Sequence, residues 1–257
     1  MSDYVKHLLL RTPLEKPALL LQDVLKLYRV VLHPGLFRVQ VEPAAVRAVI
    51  RRLVNHPEAN CVDVGAHIGS VVSLFQELAP RGQHMAFEPM PDKAEWLRKK
   101  FPEVEVHAKA LGAELGHATF SVNRTRSGFS GLRPYGSASD QFTQIDVEIA
   151  RLDDLVPEDR EITLVKIVVE GAELSVLQGA QRILRDSHPA LILESTASAL
   201  EGWGIRPRQV FDFLGDHRYN LFTPRSFLRS SPALSFGDYT LAQKYPFKAF
   251  RFVATPR

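Results

Sequence analysis

What most constrains this chain is a change of rhythm at residue 60, after which short apolar runs alternate with helical patterns. "NCVDVGAHIG" reads as a strand entering a glycine turn, and "SVVSLFQELAP" as the helix behind it. "QHMAFEPMP" and "DKAEWLRKKF" repeat the pair, and "EVEVHAKAL" is a third, short strand. "TLVKIVVEG" is a fourth, followed by the helix "AELSVLQGAQRILRD", and "PALILES" is a fifth. Parallel neighbours need crossovers of this kind. The predicted fold class is therefore α/β: a mostly parallel, Rossmann-like sheet with helices on both faces and right-handed connections. "YNLFTP" and "FKAFRFVATP" supply the last two strands, the final one read as an antiparallel hairpin.

Residues 1–57 carry no strand signal of weight and are predicted as a helical extension ahead of a domain spanning 58–257. "PALLLQDVLKLYRVVLHPG" puts Leu20, Val24, Leu27 and Val31 on one face, and "PAAVRAVIRRLVNHPE" does the same for Val46, Ile50 and Leu53. Such a preface covers a sheet, caps an active site or builds a homodimer contact, and core cover is the commonest of these. Between the third and fourth strands lies "SVNRTRSGFSGLRPYGSASDQ", a candidate lid or substrate loop set against the plainer reading of a surface loop. "FTQIDVEIARLDDL" follows, and its alternation at Ile145, Val147 and Ile149 predicts an extra strand.

Composition removes several function classes. Hydrophobic residues make up 45% of the chain, enough for a substantial core, and a net charge of +3 gives no reason to expect a nucleic-acid partner. The single Cys61 excludes an internal disulfide and fits a reducing compartment. His67, His84 and His107 do not combine with it at a zinc spacing. No apolar run reaches the ~20 residues of a membrane span, and "HLLLR" is too short for a signal-peptide core. A cytoplasmic protein with no membrane span is the expectation.

The chemistry begins at "DVGAHIG", placed between a strand and a helix, which is what makes a glycine loop informative. Gly65 can take a backbone conformation closed to other residues, and Gly69 permits close approach of helix and ligand. The loop opens on Asp63, which would repel a diphosphate and attract an ammonium group. That tilts the reading away from NAD and towards S-adenosylmethionine. Glu88 closes the second strand 19 positions after Gly69, where a carboxylate can accept hydrogen bonds from both ribose hydroxyls. The plainer alternative makes Asp63 and Glu88 turn or helix-cap residues.

"CVDVGAHIGSVVSLF", "AFEPMPDKAEWLRK", "AKALGAELGHATFSV", "ARLDDL", "VKIVVEGAELSVLQGAQRIL" and "PALILES" together resemble the FkbM family of S-adenosylmethionine-dependent methyltransferases. The resemblance covers residues 60 to 196 in order and implies a class I methyltransferase fold with methyl transfer to oxygen. The acceptor it implies is a hydroxyl of a sugar, glycolipid or polyketide. It assigns the cofactor to Asp63, Gly65, Ala66, His67 and Gly69, the ribose to Glu88 beside Pro89, and the adenine to the stretch at Lys109, Ala110 and Leu111. Two positions depart from the family pattern. His67 replaces the asparagine of Asp-Val-Gly-Ala-Asn-Ile-Gly, and Val168 replaces the aspartate of Lys-Ile-Asp-Val-Glu-Gly.

The fourth strand carries Glu170 to the carboxyl edge of the sheet, where ligands of open parallel sheets collect. Lys166 sits within the apolar run and is expected to pair with a carboxylate or reach the rim, because an unpaired buried ammonium is costly. Glu170 and Glu173 also lie at a helix start, where a negative charge is favoured regardless of function; that plainer reading is strong for Glu173 and stands level with function for Glu170 until the family resemblance is added. An alcohol acceptor must lose its proton as the new bond forms, which calls for a base or a metal. Glu170, His67 and His107 are the candidate bases. Glu170 with Glu194 of the neighbouring strand is the candidate Mg2+ pair, a reading that Val168 weakens because it cannot ligate. The rivals are an S-adenosylmethionine-binding protein without catalysis, motivated by Val168, and an NAD-dependent oxidoreductase.

Overall fold

The structure, a computed structural model, describes residues 7–15, 17–18, 20–21, 24, 41–133, 137 and 139–257. Leu27 and Val31 of the expected N-terminal helical face lie outside the described residues. The long described run from residue 41 starts with α1 (Glu42–Leu53) and continues as β1 (Cys61–Val64), α2 (Ser70–Leu78), β2 (Met85–Phe87), α3 (Pro91–Lys100) and β3 (Glu105–His107). A small insertion follows: β4 (Ala110–Leu111), β5 (Gly116–Asn123), a 3-10 turn at Ser127–Phe129 and β6 (Phe142–Ala150). The chain then returns through α4 (Leu152–Leu155) to β7 (Leu164–Ile167), α5 (Glu173–Gln178), α6 (Gln181–Asp186) and β8 (Ala190–Glu194). It closes with α7 (Ala197–Gly202), α8 (Pro207–Asp216), β9 (Tyr219–Phe222), α9 (Pro224–Leu228), α10 (Phe236–Ala242) and β10 (Arg251–Pro256).

The main sheet has seven strands in the order β3-β2-β1-β7-β8-β10-β9. The pairs β1–β2, β1–β7, β2–β3 and β7–β8 are parallel, and β10 runs antiparallel between β8 and β9. The last two strands pair antiparallel as expected, but two helices rather than a tight turn join them, and β10 also lies antiparallel against β8. The order reverses beside β1, so the crevice for a ligand lies beyond the carboxyl ends of β1 and β7.

Alternation along the central strands fills two cores. Val62, Val64, Val165, Ile167, Leu191 and Leu193 face one side, with Leu177, Ile183, Leu214 and Tyr239 packed on them. Cys61, Leu164 and Ile192 face the other, against Val49 and Ile50 of α1 and Phe75 of α2. The helix α1, expected as part of an extension, thus packs on the sheet itself. A second sheet of three strands, β4-β6-β5, stands on the carboxyl side of β3. Two sequence readings are corrected there. The single third strand breaks into β3 and β4 in different sheets, and "GHATFSVN", not read as a strand, pairs along its length with β6. The single helix behind β7 also divides, at Gly179, where an added Cβ would lie 2.0 Å from the carbonyl oxygen of Gly112. Among the described residues no helix is long and apolar enough to cross a membrane.

Candidate active site

The register of the sheet explains why an apolar strand carries a lysine. Asp63 of β1 lies directly beside Lys166 of β7, and Lys166 beside Ile192 of β8. The Asp63 carboxylate is almost fully enclosed, at 1% exposure, and Lys166 Nζ stands 2.9 Å from its Oδ1. The same ammonium donates to the carbonyl oxygens of Val64 (3.2 Å) and Gly65 (2.8 Å). Its hydrogens are thus directed at the loop backbone, and neither Asp63 oxygen receives a well-aligned hydrogen bond. The carboxylate is thus balanced in charge by Lys166 but short of hydrogen-bond donors, and a buried carboxylate in that state still costs free energy until a donor reaches it.

Two residues further along, the same face of the sheet presents Gly65, Val168, Glu194 and Arg251. Arg251 pairs directly with Glu194 across β10–β8, and Val168 N–H donates to the Val64 carbonyl at 3.1 Å. Gly65 has φ +73°, and a Cβ there would lie 2.1 Å from the Val168 carbonyl oxygen, so only glycine fits. Gly69 has φ +88°, but its missing Cβ would strike Leu97 of α3 and Phe101 just past its end. Its freedom serves the packing of α2 on α3, and Gly69 does not line the cavity.

That cavity holds about 550 Å³ and opens over the carboxyl ends of β1 and β7. Asp63, Gly65, Ala66, His67, Glu88, Pro89, Ala110 and Leu111 all line it, as do Glu170 and Glu194. Glu88 takes the turn role that the plainer reading gave it and adds a bond to the glycine loop. Its Oε2 accepts from the His67 N–H at 2.7 Å and its Oε1 from the Met90 N–H at 3.0 Å, which ties the glycine loop to the end of β2. Each oxygen keeps a lone pair for a ligand hydroxyl. Opposite, Ser127 Oγ accepts from Lys93 Nζ at 2.8 Å and lies 2.8 Å from His67 Nε2.

Glu170 ends the β7 edge in a left-handed backbone conformation, φ +55°, followed by Gly171 at +99°. Burial, reinforced by the charges of Glu194 and Glu173, raises its carboxyl from the ordinary value to about 8, with Arg251 and Lys166 opposing. Glu173 is more deeply enclosed and is raised to about 7, again chiefly by burial. Its Oε1 accepts from Val169 N–H at 3.1 Å, so it caps the turn between β7 and α5 and does not line the cavity.

The remaining candidates fare differently. His107 is not brought to the cavity: its ring stacks on Phe87 at 4.9 Å, and its Nε2 lies 2.9 Å from Glu105 at the outer end of β3. Glu194 is present but engaged, with Arg251 at 2.9 Å, and Arg251 reaches on to Glu42 of α1 at 3.6 Å. Among the described residues no group of three His, Cys, Asp or Glu side chains is placed to hold a metal ion. With Val168 between Gly65 and Glu194, the donor set does not fit Mg2+. Lys109 lines the cavity and pairs with Glu148 of β6.

A family model described as "Methyltransferase FkbM domain" matches residues 63–221, which is more than half of the chain. The chain belongs to the FkbM methyltransferase family. It is 27% identical over 154 residues to "Methyltransferase 1" of Beauveria bassiana, a match covering 51% of this chain and 60% of that protein. It is 25% identical over 203 residues to "Methyltransferase sdnD" of Sordaria araneosa, covering 64% of this chain and 75% of that one. Among solved structures, an FkbM methyltransferase from Methylobacillus flagellatus is similar at 17% identity and a TM-score of 0.42, over 78% of this chain and 44% of that one. The FkbM chain described here thus spans less than two thirds of the length of the first of these relatives and under half of that structure's chain.

Several residues of this FkbM-family site escaped the sequence reading. Arg251 sits in the last strand, and only the insertion of β10 beside β8 carries it to the site. Lys93 and Ser127 meet because α3 and the insertion fold towards one another. A buried lysine in "PMPDKAEW" was the one available signal, and a lysine on a helix is usually solvated.

Proposed function

We propose that this FkbM-family chain is an S-adenosylmethionine-dependent O-methyltransferase, acting on a hydroxyl of a sugar, glycolipid or polyketide-type small molecule. The observation that carries the reading is the position of Glu170. It is a carboxyl raised to about 8, and it lines the same cavity as the glycine loop and its acids. The buried, under-bonded Asp63 carboxylate and the glycine-only turn at Gly65 suit a ligand with an ammonium group and a close backbone contact. Glu88 offers its remaining lone pairs to a ribose, and Ala110 and Leu111 offer an apolar wall to an adenine.

When bound, S-adenosylmethionine supplies a sulfonium methyl carbon open to in-line displacement. The protein holds the acceptor oxygen in line and removes its proton, and positioning supplies much of the acceleration. Glu170 in its ionised form takes that proton, and its pKa is near the operating pH, where a general base works best. His67 is less suited, because its Nε2 is held against Ser127. No step passes through a metal, since Glu194 is engaged with Arg251. The cavity walls contributed by Leu10, Val46, Val71 and Leu74 are hydrocarbon, which favours an acceptor with an apolar part.

Isothermal calorimetry with S-adenosylmethionine, followed by transfer of a labelled methyl group to a panel of hydroxylated acceptors, tests the proposal. Uptake and labelled ether product are expected. Uptake without product from any acceptor would support the binding-only alternative, and saturable NADH binding without S-adenosylmethionine binding would support the oxidoreductase.

A further inference from the structure

A general base at the end of a strand must be aimed, and Glu170 is aimed by a backbone conformation that a side-chain-bearing residue adopts at a cost. Its φ of +55° lies in the left-handed region, and such outliers persist only when their surroundings over-determine them. Two contacts do so here. The Trp203 indole Nε1–H donates to the Glu170 carbonyl oxygen at 3.3 Å. Behind it, Gly171 at φ +99° passes so close to α7 that a Cβ would lie 2.5 Å from the Ala199 carbonyl oxygen and 2.7 Å from Trp203 Cδ1.

Trp203 is itself held from the insertion. The Arg133 guanidinium stacks 4.8 Å above its ring and donates to the Gly202 carbonyl oxygen at 2.5 Å, on the last turn of α7. On the same segment, a Cβ at Gly131 would stand 3.3 Å from the Glu170 Cβ. The indole is therefore clamped between the insertion and the turn that bears the carboxylate. It does not line the cavity, so its influence on the reaction would pass through Glu170.

We propose that Trp203 is the positioning residue for Glu170, its indole N–H fixing the turn that directs the carboxylate into the cavity, and that Arg133 locks the indole in place. This rests on the reading of Glu170 as the base. The groups facing that carboxyl are Glu173 of α5, Glu194 of β8, Arg251 of β10 and Lys166 of β7. Rotating the turn moves the carboxyl relative to all four and towards water.

The test is Trp203→Phe, which keeps the ring and removes the donor, with Arg133→Met as the second variant. A misplacement of about 1 Å at a reacting group costs on the order of 10²-fold. Trp203→Phe is therefore expected to lose roughly 10- to 100-fold in kcat, while KM for the acceptor and the affinity for S-adenosylmethionine stay within about twofold. Its pH–rate midpoint should move down from about 8 towards the ordinary carboxylate range as the carboxyl meets water. Arg133→Met should move both readouts in the same direction by less. A purely structural role would lower thermal stability and leave the midpoint in place. That outcome, or a kcat within twofold of the parent, overturns the proposal. If instead Glu170→Gln retains full turnover, it is the assignment of the base that fails.

Discussion

Glu170 offers the sharpest test because its activity and its contribution to stability run in opposite directions with pH. Its carboxyl is raised from the ordinary 4.5 to about 8 by burial and by the neighbouring Glu194 and Glu173 charges. Only the ionised form can take a proton, so about a tenth of the molecules are competent one unit below the midpoint and about nine tenths one unit above it. The rate, as kcat/KM, should therefore rise about tenfold per pH unit below the midpoint and level off above it. Stability follows the reverse course. A carboxyl with a raised folded-state pKa holds its proton more tightly in the folded chain, so its contribution is complete below 4.5 and is lost as pH rises through about 8. Glu170→Gln should remove both dependences. Turnover should fall by about 10²–10⁴-fold, the share usually supplied by a general base, and the loss of melting temperature between pH 6 and 9 should shrink. Stopped-time methyl transfer across pH 6–10, paired with melting curves in the same buffers, reads both. A Glu170→Gln variant with parental turnover, or a parental profile flat across that window, would refute the reasoning. Glu194→Gln provides the internal control: with one neighbouring negative charge gone, the midpoint should move downwards.

Lys166→Met should destabilise the fold by about 3–5 kcal/mol, because it strands the buried Asp63 charge, and denaturant melts will detect it. The double variant Lys166→Met with Asp63→Asn should recover much of that loss. Glu88→Ala should weaken S-adenosylmethionine binding by about 1.5–3 kcal/mol in calorimetry, as expected for losing a charged hydrogen bond. It should also loosen the 63–69 loop, which would appear as faster amide exchange at His67, the residue whose N–H it now holds. Val168→Asp, the residue in the family pattern, should reduce turnover near neutral pH and raise the rate midpoint, because Lys166 and Arg251 are already engaged with acids. Higher turnover would mean instead that valine is a lesion.

The order of the main-sheet strands, and of the helices up to β8, was legible from residue 60 onward because it rests on local rules: runs of buried apolar residues, glycine turns and helical spacing. The glycine loop and its neighbouring acids were legible for the same reason, since Asp63, Gly65 and Glu88 sit at strand ends that the sequence itself marks. Tertiary structure decided everything that depends on which strands become neighbours. The pairing of β1 with β7 turned Lys166 from an anomaly within an apolar strand into the partner of Asp63. The insertion of β10 beside β8 brought Arg251 to Glu194 from 57 positions away, and the pairing of β3 with β2 set the His107 ring against Phe87. Local sequence fixes what a segment can become, because backbone sterics and side-chain burial act over a few residues. Which charges meet, and at what pKa, depends on distances and desolvation that exist only once remote segments are packed together.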